Sequence, residues 1–506
     1  MMHLTLTRDI VVEGLEINEF DKNHNIIRVV NREEFFSMID RWKILLLEKY
    51  DAKPGQTYFV HGHPGAAYYS CLLAGWELGM VCLFDIGRCN TEADLHTSKT
   101  KLFSNMDFTI RTNTHSELFG PGVGTGKFNP NQWYPGPMFR WEFIRAKMYS
   151  RNVIDLDEYT DYVVQNPEKY QHVADIRWCT PDSYLTNMPN SGSVNAPRVM
   201  GDTHKRVMLT ANRFFSYAGL EENERVLHQH NLNHGSTFVV HWIPTIMKCK
   251  YHYTGYSTNI NNQSELVSVF NQHKINRLML YTTKLLTNWI RASEPVDHPV
   301  RIQTLYQITP EIINLIKEKN IETVFGNFGN QEFGGPLFVK KVTKDTSLDG
   351  YEITSVGQPV DDFYKFEIRD GFLYLKCEEI GILDWSTADD KFEEHLGTYY
   401  FKGRRSLYRI GEEWFELEAL EKKLFECFGE QANLVLDTEL QKIYLAVWKP
   451  NQKGEIHFTS WLSDTFVQLQ LDYVMRDEPV ENYSTDRKMD NSKIRDYCRY
   501  QLGIRS

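Results

Sequence analysis

Residues 190–198 read NSGSVNAPR, and their types are those of an anion cradle. Ser191 and Ser193 bring hydroxyls, and Gly192 tolerates the backbone that turns N–H groups toward a ligand. Arg198 adds a permanent, planar cation that can grip phosphate through two parallel hydrogen bonds. An ordinary polar turn would carry the same residues, so their company along the chain has to decide. A more conspicuous glycine-rich stretch, FGPGVGTGKF at 119–128, does not make a nucleotide P-loop. Pro121 takes the place of its first glycine, and Phe128 follows Lys127 where Mg²⁺ binding needs Ser or Thr. His228, His230, His234 and His241 crowd together, yet no Cys, Asp or Glu is interleaved to complete a zinc site. Core or pocket histidines are expected there.

The elements that must hold these residues are legible in outline. Residues 56–85 read as strand, turn, amphipathic helix and strand, with Tyr68, Leu72, Trp76 and Met80 along one stripe. Helix-to-strand patterns recur at 264–283 and 310–326, which points to parallel, helix-covered sheets. After about residue 350 the texture changes. VDDFYKFEIRDGFLYLKCEE alternates apolar and polar residues around an Asp-Gly turn, the signature of an antiparallel hairpin. Short strands, the helix LEALEKKLFECFG and two further strands follow. The expected fold is α/β: a large N-terminal domain of helix-covered, largely parallel sheets over 1–403, joined by a hinge to a small α+β domain over 404–506.

The bulk numbers bound the class. A chain of 506 residues exceeds what one hydrophobic core usually serves. Its 42% hydrophobic, 13% aromatic and 24% charged content describes a folded protein. The net charge of −11 argues against a nucleic-acid or anionic-membrane surface, though a local basic pocket fits it. Eight cysteines form no CxxC pair, so reduced, mostly buried thiols and a cytoplasmic location are expected. The start lacks the apolar run of a secretory signal, and no stretch reaches the roughly 18 apolar residues of a membrane span.

Several stretches in a fixed order give the cradle its company. Segment 190–200 resembles the phosphate loop T-S-G-S/T-T-G-x-P-K-G of the AMP-forming adenylate synthetases, which include acyl-CoA synthetases, luciferases and nonribosomal adenylation domains. FGNFGNQEFGG at 325–335 resembles that superfamily's Y-G-x-T-E motif, with Phe328 in the aromatic place and Glu332 in the acid place. WSTAD at 385–389 resembles W/Y-x-T-G-D, ending in Asp389, and FKGRRS at 401–406 resembles the hinge motif G-R-x-D, supplying Gly403 and Arg404. RKMDNSKIRD at 487–496 resembles P-R-T-x-x-G-K, supplying Lys493. ERVLHQHNLNHGSTF at 224–238 is similar to the D-R-V-L…P-L-F-H stretch, with His234 on its histidine.

The resemblance implies attack of a carboxylate on the α-phosphate of ATP, giving an acyl-adenylate and pyrophosphate. Such a transfer needs charge neutralisation and alignment more than covalent help from the protein. It implies that Ser191, Gly192, Ser193, Asn195 and Arg198 hold the outer phosphates, that Phe328 lies against adenine, and that Asp389 and Arg404 reach the ribose. Glu332, beside Gln331, would hold Mg²⁺. Lys493 would bridge the substrate carboxylate and the α-phosphate, in one of two poses of a small domain that rotates about the hinge.

Some positions depart from the pattern. Val194 replaces a threonine, Asn195 a glycine, Arg198 a lysine, Gln331 a threonine and Ser492 a glycine, and Ser406 stands at the hinge acid. Arg198, Glu332, Asp389, Arg404 and Lys493 keep the charged set, which favours an enzyme over a catalytically silent nucleotide- or acyl-binding relative. Pocket walls are expected from 233–241, Thr282, Thr283, 307–308, Asn327 and Phe333. The first of these segments offers no aspartate for an α-ammonium group, so a carboxylic acid without one is expected. CoA is the expected acceptor, making an acid–thiol ligase; a separate carrier protein or another nucleophile is the alternative.

Overall fold

The computed structural model describes residues 4–20, 25–62, 65–84, 106–112, 150–189, 199–228, 242–255, 269–279, 290–291, 295–305, 308–330, 333–404, 407–410, 413–428, 432–437, 442–447, 453–454, 456–457, 471–475 and 498–503. In chain order, β1 (Glu16–Phe20) and β2 (Ile26–Asn31) form an antiparallel pair that leads into α1 (Arg32–Tyr50). The Asn31 side chain accepts from the Glu34 N–H to start that helix, and Asp51 in the left-handed region ends it.

A first layer follows. It comprises β3 (Thr57–His61), α2 (Ala66–Glu77), β4 (Val81–Leu83), β5 (Met106–Arg111), β6 (Ser150–Ile154), α3 (Leu156–Asp161), β7 (Tyr184–Pro189) and β8 (Val199–Thr203). Its six strands lie in the order β6-β5-β3-β4-β7-β8, all parallel except the antiparallel edge pair β7–β8. The strand–helix–strand unit expected at 56–85 is present, with one correction. Helix α2 has no solvent face: residues 68–77 are all buried, and Met80 lies beyond its end. It packs between α1 and the sheet, so its stripe is a core helix's all-round apolar surface. Its one acid, Glu77, is buried and bonded to Arg8 and Lys43 at 2.9 Å each.

The second layer runs through α4 (His204–Ala218), β9 (Arg225–His228), α5 (Ile243–Lys248), β10 (Tyr251–Gly255), β11 (Arg277–Met279), β12 (Arg301–Leu305), α6 (Pro310–Lys319) and β13 (Thr323–Asn330). Strands β1, β10, β9, β11, β12 and β13 are successive parallel neighbours. Thr309 caps α6, whose Ile312, Ile313 and Ile316 pack on Ile302 and Val324. The helix-to-strand reading of 310–326 therefore holds.

The antiparallel texture after residue 350 extends this same sheet. Strands β14 (Gly335–Thr343), β15 (Ser355–Pro359), β16 (Lys365–Arg369), β17 (Phe372–Cys377), β18 (Ile382–His395) and β19 (Thr398–Arg404) join it in the order β13-β14-β15-β19-β18-β17-β16. Asp370 and Gly371 both have positive φ, 51° and 79°, in the two-residue turn between β16 and β17. That is the geometry an Asp-Gly hairpin demands. Beyond it, β20 (Leu407–Ile410) pairs with β21 (Glu413–Glu416). After α7 (Leu417–Phe428), β22 (Ala432–Asp437), β23 (Lys442–Val447) and β24 (Leu471–Met475) form a three-stranded sheet. The architecture is a large α/β part followed by a small α+β part. The described cysteines are free thiols, and no helix among the described residues is long and apolar enough to cross a membrane.

Candidate functional site

The segment expected to cradle an anion connects two antiparallel strands. Pro189 pairs with Val199, so residues 190–198 span the open end of β7–β8. The next helix, α4, begins only after β8, with the Thr203 side chain accepting from the Arg206 N–H. Ser191, Gly192, Ser193, Asn195 and Arg198 lie outside the described residues, as do His230, His234, His241 and the stretch 119–128.

Helix α4 also braces a second turn. Asn330 pairs with Gly335, so Gln331 and Glu332, outside the described residues, stand in the short connection from β13 to β14. Thr210 Oγ1 on α4 donates to the Gly334 carbonyl. Gly334 and Gly335 have φ of 80° and 123°, and a Cβ on Gly335 would stand 2.6 Å from Thr210 Cγ2. Glycine is needed there for backbone conformation and for close approach together. Tyr364 donates from its hydroxyl to the Phe333 carbonyl on the same turn.

Phe328, expected against a nucleotide base, sits half-buried on β13 among aromatic neighbours. Its ring meets Phe392 edge-on at 5.3 Å and Phe401 at 5.1 Å. Phe392 and Phe401 belong to β18 and β19, the strands that carry Asp389 and Arg404. The structure thus brings three distant motifs to one place: Phe328 on β13 and the Asp389 and Arg404 backbone positions on β18–β19. The residue directly across from Arg404 is Asp390, with Gly403 across from Lys391. Asp390 is buried, and the sequence reading passed over it in favour of Asp389. A doubled acid in the motif was the available signal.

The carboxyl ends of β12 and β13 hold a different feature. Gln303, Thr304 and Asn327 are 0%, 0% and 3% exposed, and none of their side-chain polar atoms has a hydrogen-bond partner. Buried polar groups are nearly always paired, so these orphans on parallel strands leave bonding capacity for a ligand or water to complete, with Gln303 and Asn327 on one face of the sheet and Thr304 alternating to the other. Asn327 was expected as a pocket wall from sequence; Gln303 and Thr304 were missed, because residue type alone does not show burial. Ile308 and Phe333, also expected as walls, are buried nearby in sequence, while Thr282, Thr283, Gln307 and residues 233–241 lie outside the described residues.

Of the clustered histidines, His228 is described. It is buried, and its Nε2 lies 2.9 Å from His252 Nδ1, while His252 Nε2 lies 2.9 Å from the Cys249 carbonyl. Burial holds the His252 imidazole down at about 4, so it is neutral near pH 7. His228 is thus a core histidine, as expected. No group of three or more metal-ligating side chains occurs among the described residues. Lys493 is outside them.

No family model matches the chain, and no curated protein matches it by sequence. Solved structures match it end to end. One, from studies of fatty acyl-adenylate ligases of E. coli and L. pneumophila, is 12% identical, with a TM-score of 0.64 over 99% of this chain and 98% of that one. The o-succinylbenzoate coenzyme A synthetase of Bacillus subtilis, solved in complex with AMP, is 15% identical, with a TM-score of 0.64 over 96% of each chain. McyG A-PCP, complexed with phenylalanyl-adenylate, is 13% identical, with a TM-score of 0.61 over 99% of this chain and 96% of that one. At these identities the likeness is one of fold. The chain shares the fold of these solved acyl-adenylate-forming and coenzyme A ligases.

Proposed function

We infer that this protein activates a carboxylic acid with ATP, forming an acyl-adenylate and releasing pyrophosphate, and then passes the acyl group to a thiol. The observation that carries this reading is the placement of the resembling motifs on a shared fold. One lies at the end of the β7–β8 hairpin, one in the β13–β14 turn braced by Thr210, and two on adjacent positions of β18–β19. Turns and strand ends are where a rigid scaffold exposes backbone donors and side chains to a ligand.

In this reading Ser191, Gly192, Ser193, Asn195 and Arg198 bind the outer phosphates, assisted by Gln331. Phe328 packs on the base, its other contacts fixed by Phe392 and Phe401. Asp389 and Arg404 take the ribose. Glu332 would hold Mg²⁺, which neutralises phosphate charge when bound. His234 closes the acid side, and Lys493 orients the substrate carboxylate against the α-phosphate. A domain boundary at 403/404 is part of this proposal; it is supported by the long sheet's last strand in chain order ending at Arg404 and by the described strands beyond it pairing with one another. A solved relative in complex with ATP and magnesium ion, and others with acyl-adenylates, support ATP and Mg²⁺ as the cofactors.

CoA is the acceptor favoured here, with a separate carrier protein as the second reading, since coenzyme A synthetases and a carrier-linked protein both share the fold. A cytoplasmic location belongs to the same proposal. The test is carboxylate-dependent exchange of labelled pyrophosphate into ATP, followed by thiol consumption on adding CoA. Exchange that requires an acid supports the reading; ATP turnover indifferent to every acid contradicts it.

A further inference from the structure

The orphaned amides at the ends of β12 and β13 say something about the acid, on the reading that an acid is activated at this site. Register fixes which side of the sheet they occupy. His228, Met279 and Gln303 are successive register partners on β9, β11 and β12, so they share a face, and Leu305 pairs with Asn327 one alternation further along. Gln303 and Asn327 therefore lie diagonally on one face of adjacent parallel strands, about 8 Å apart along the backbone given ordinary strand spacings.

That face is the one covered by α4. Met279 packs with Val226, Phe214 and Ala218, and Tyr217 of α4 packs against the same cluster. The opposite face, with Ile302 and Val324, belongs to α6. Tyr217 Oη is buried and, like the Gln303 and Asn327 amides, has no hydrogen-bond partner. A hydrocarbon tail laid against the two amides would leave both of them unpaired, at a cost for each.

The chemistry of this face is also definite in charge. Each amide offers two donors and one acceptor oxygen, and neither carries charge. Arg277, on the same face, is bonded to Glu224 through Nε at 3.1 Å and Nη2 at 2.7 Å, so it already has its counter-ion. Glu224 compensates its charge, and Arg277 Nη1 is left without a hydrogen-bond partner.

We propose that Gln303 and Asn327 form a specificity recess for a neutral hydrogen-bonding group, a hydroxyl or an amide, carried by the acid remote from its carboxylate. The acid is not a plain hydrocarbon acid. A site built to hydrogen-bond such a group rejects the analogue that lacks it far more strongly than an apolar pocket rejects an added hydroxyl.

The test compares matched acids by equilibrium binding to the full-length protein in the presence of a non-hydrolysable ATP analogue. The pairs are para-hydroxybenzoate against para-toluate, para-carbamoylbenzoate against para-isopropylbenzoate, and adipamate against its isopropyl isostere. The expected result is that the polar member of at least one pair binds on the order of tenfold or more tightly. Gln303→Met and Asn327→Leu should bring that ratio to about one. Both variants, unliganded, should unfold at or above the wild-type temperature, because each removes buried polar atoms that have no partner. Hydrocarbon members binding equally or better would overturn the proposal, as would binding of neither kind, or variants that melt well below wild type; the amides would then be paired by buried water or serve the fold. Pyrophosphate exchange run alongside separates the two failures. Exchange driven by the hydrocarbon acids overturns the recess and leaves adenylation standing, whereas absence of both ATP binding and exchange removes both.

Discussion

Arg404 stands directly across the β18–β19 pair from Asp390, while Asp389 occupies the preceding position on β18. Side chains alternate along a strand, so neighbouring acids in such a pair do different work. Asp390 is buried, and Asp389 holds the motif's acid position. Asp389→Ala is expected to raise KM for ATP about tenfold to a hundredfold with little change in kcat, since ribose contacts exist equally before and during adenylyl transfer. Asp390→Asn should instead lower stability, by about 1–3 kcal/mol, as expected when a buried polar group is exchanged for one of different hydrogen-bonding capacity. Steady-state kinetics and chemical denaturation of the two variants check this. The opposite pattern would shift the nucleotide-binding acid by one residue.

The turn that carries Gln331 and Glu332 is held by a close approach between Gly335 and Thr210. Gly335→Ala places a methyl group against Thr210 Cγ2 at a φ of 123°, a conformation L side chains avoid. The expected cost is about 1–3 kcal/mol of stability, together with a higher Mg²⁺ concentration for half-maximal exchange. A Mg²⁺ titration of the variant that overlays wild type would separate this turn from the metal.

Glu77 provides the structural control. Its carboxylate is buried between Arg8 and Lys43, each at 2.9 Å. Burial pushes it upward, and the Arg8 hydrogen bonds with the Lys43 and Arg8 charges outweigh that, holding it below the ordinary carboxylate value. Removing one member of a buried ionic set strands the others. Glu77→Gln should therefore cost about 3–5 kcal/mol in urea unfolding. KM for ATP and for acid should stay unchanged below the melting transition, and a changed KM would argue that this cluster communicates with the site.

Two buried imidazoles set the pH dependence of stability. Burial holds both His204 and His252 down at about 4, from an ordinary 6.5. Their stabilising contribution is fully present above the unfolded value. It is lost as pH falls from about 6.5 to about 4, because the unfolded chain takes up protons that the folded one refuses. The His204 Nδ1 accepts from the Leu6 N–H, so the folded form needs that nitrogen unprotonated. The urea midpoint is expected to fall steadily across this window, and His204→Asn should flatten the slope. A midpoint that is constant from pH 7 to pH 4.5 would contradict the assignment.

What could be read from the sequence divides along physical lines. Local periodicity and turn chemistry are written in neighbouring residues, so the 310–326 unit and the Asp370-Gly371 hairpin were legible, down to the two positive φ angles. Pairings across distance were not. Nothing in NSGSVNAPR says that the segments on either side of it pair as β7 and β8, and nothing in VDDFYKFEIRD says that its strand ends a sheet begun at Glu16. The apolar stripe of α2 was visible, but its burial on every side depends on α1 and the first sheet arriving from elsewhere. Asn327 could be named from its place beside Phe328. Gln303 could not, because its significance lies in being buried without a partner, a property of the packed chain.

The most direct measurement is acid-dependent pyrophosphate exchange by wild type and by Lys493→Ala, with ATP binding measured on both. At least one carboxylic acid is expected to drive exchange by wild type. Lys493→Ala should lower that rate by about a hundredfold or more while ATP binding falls only a few-fold, the mark of a group that acts as charge develops in the transition state. ATP binding without exchange for any acid would make the chain a silent nucleotide-binding relative. Exchange that survives Lys493→Ala would contradict the assigned role of Lys493, and wild type that neither binds ATP nor supports exchange would contradict adenylation itself.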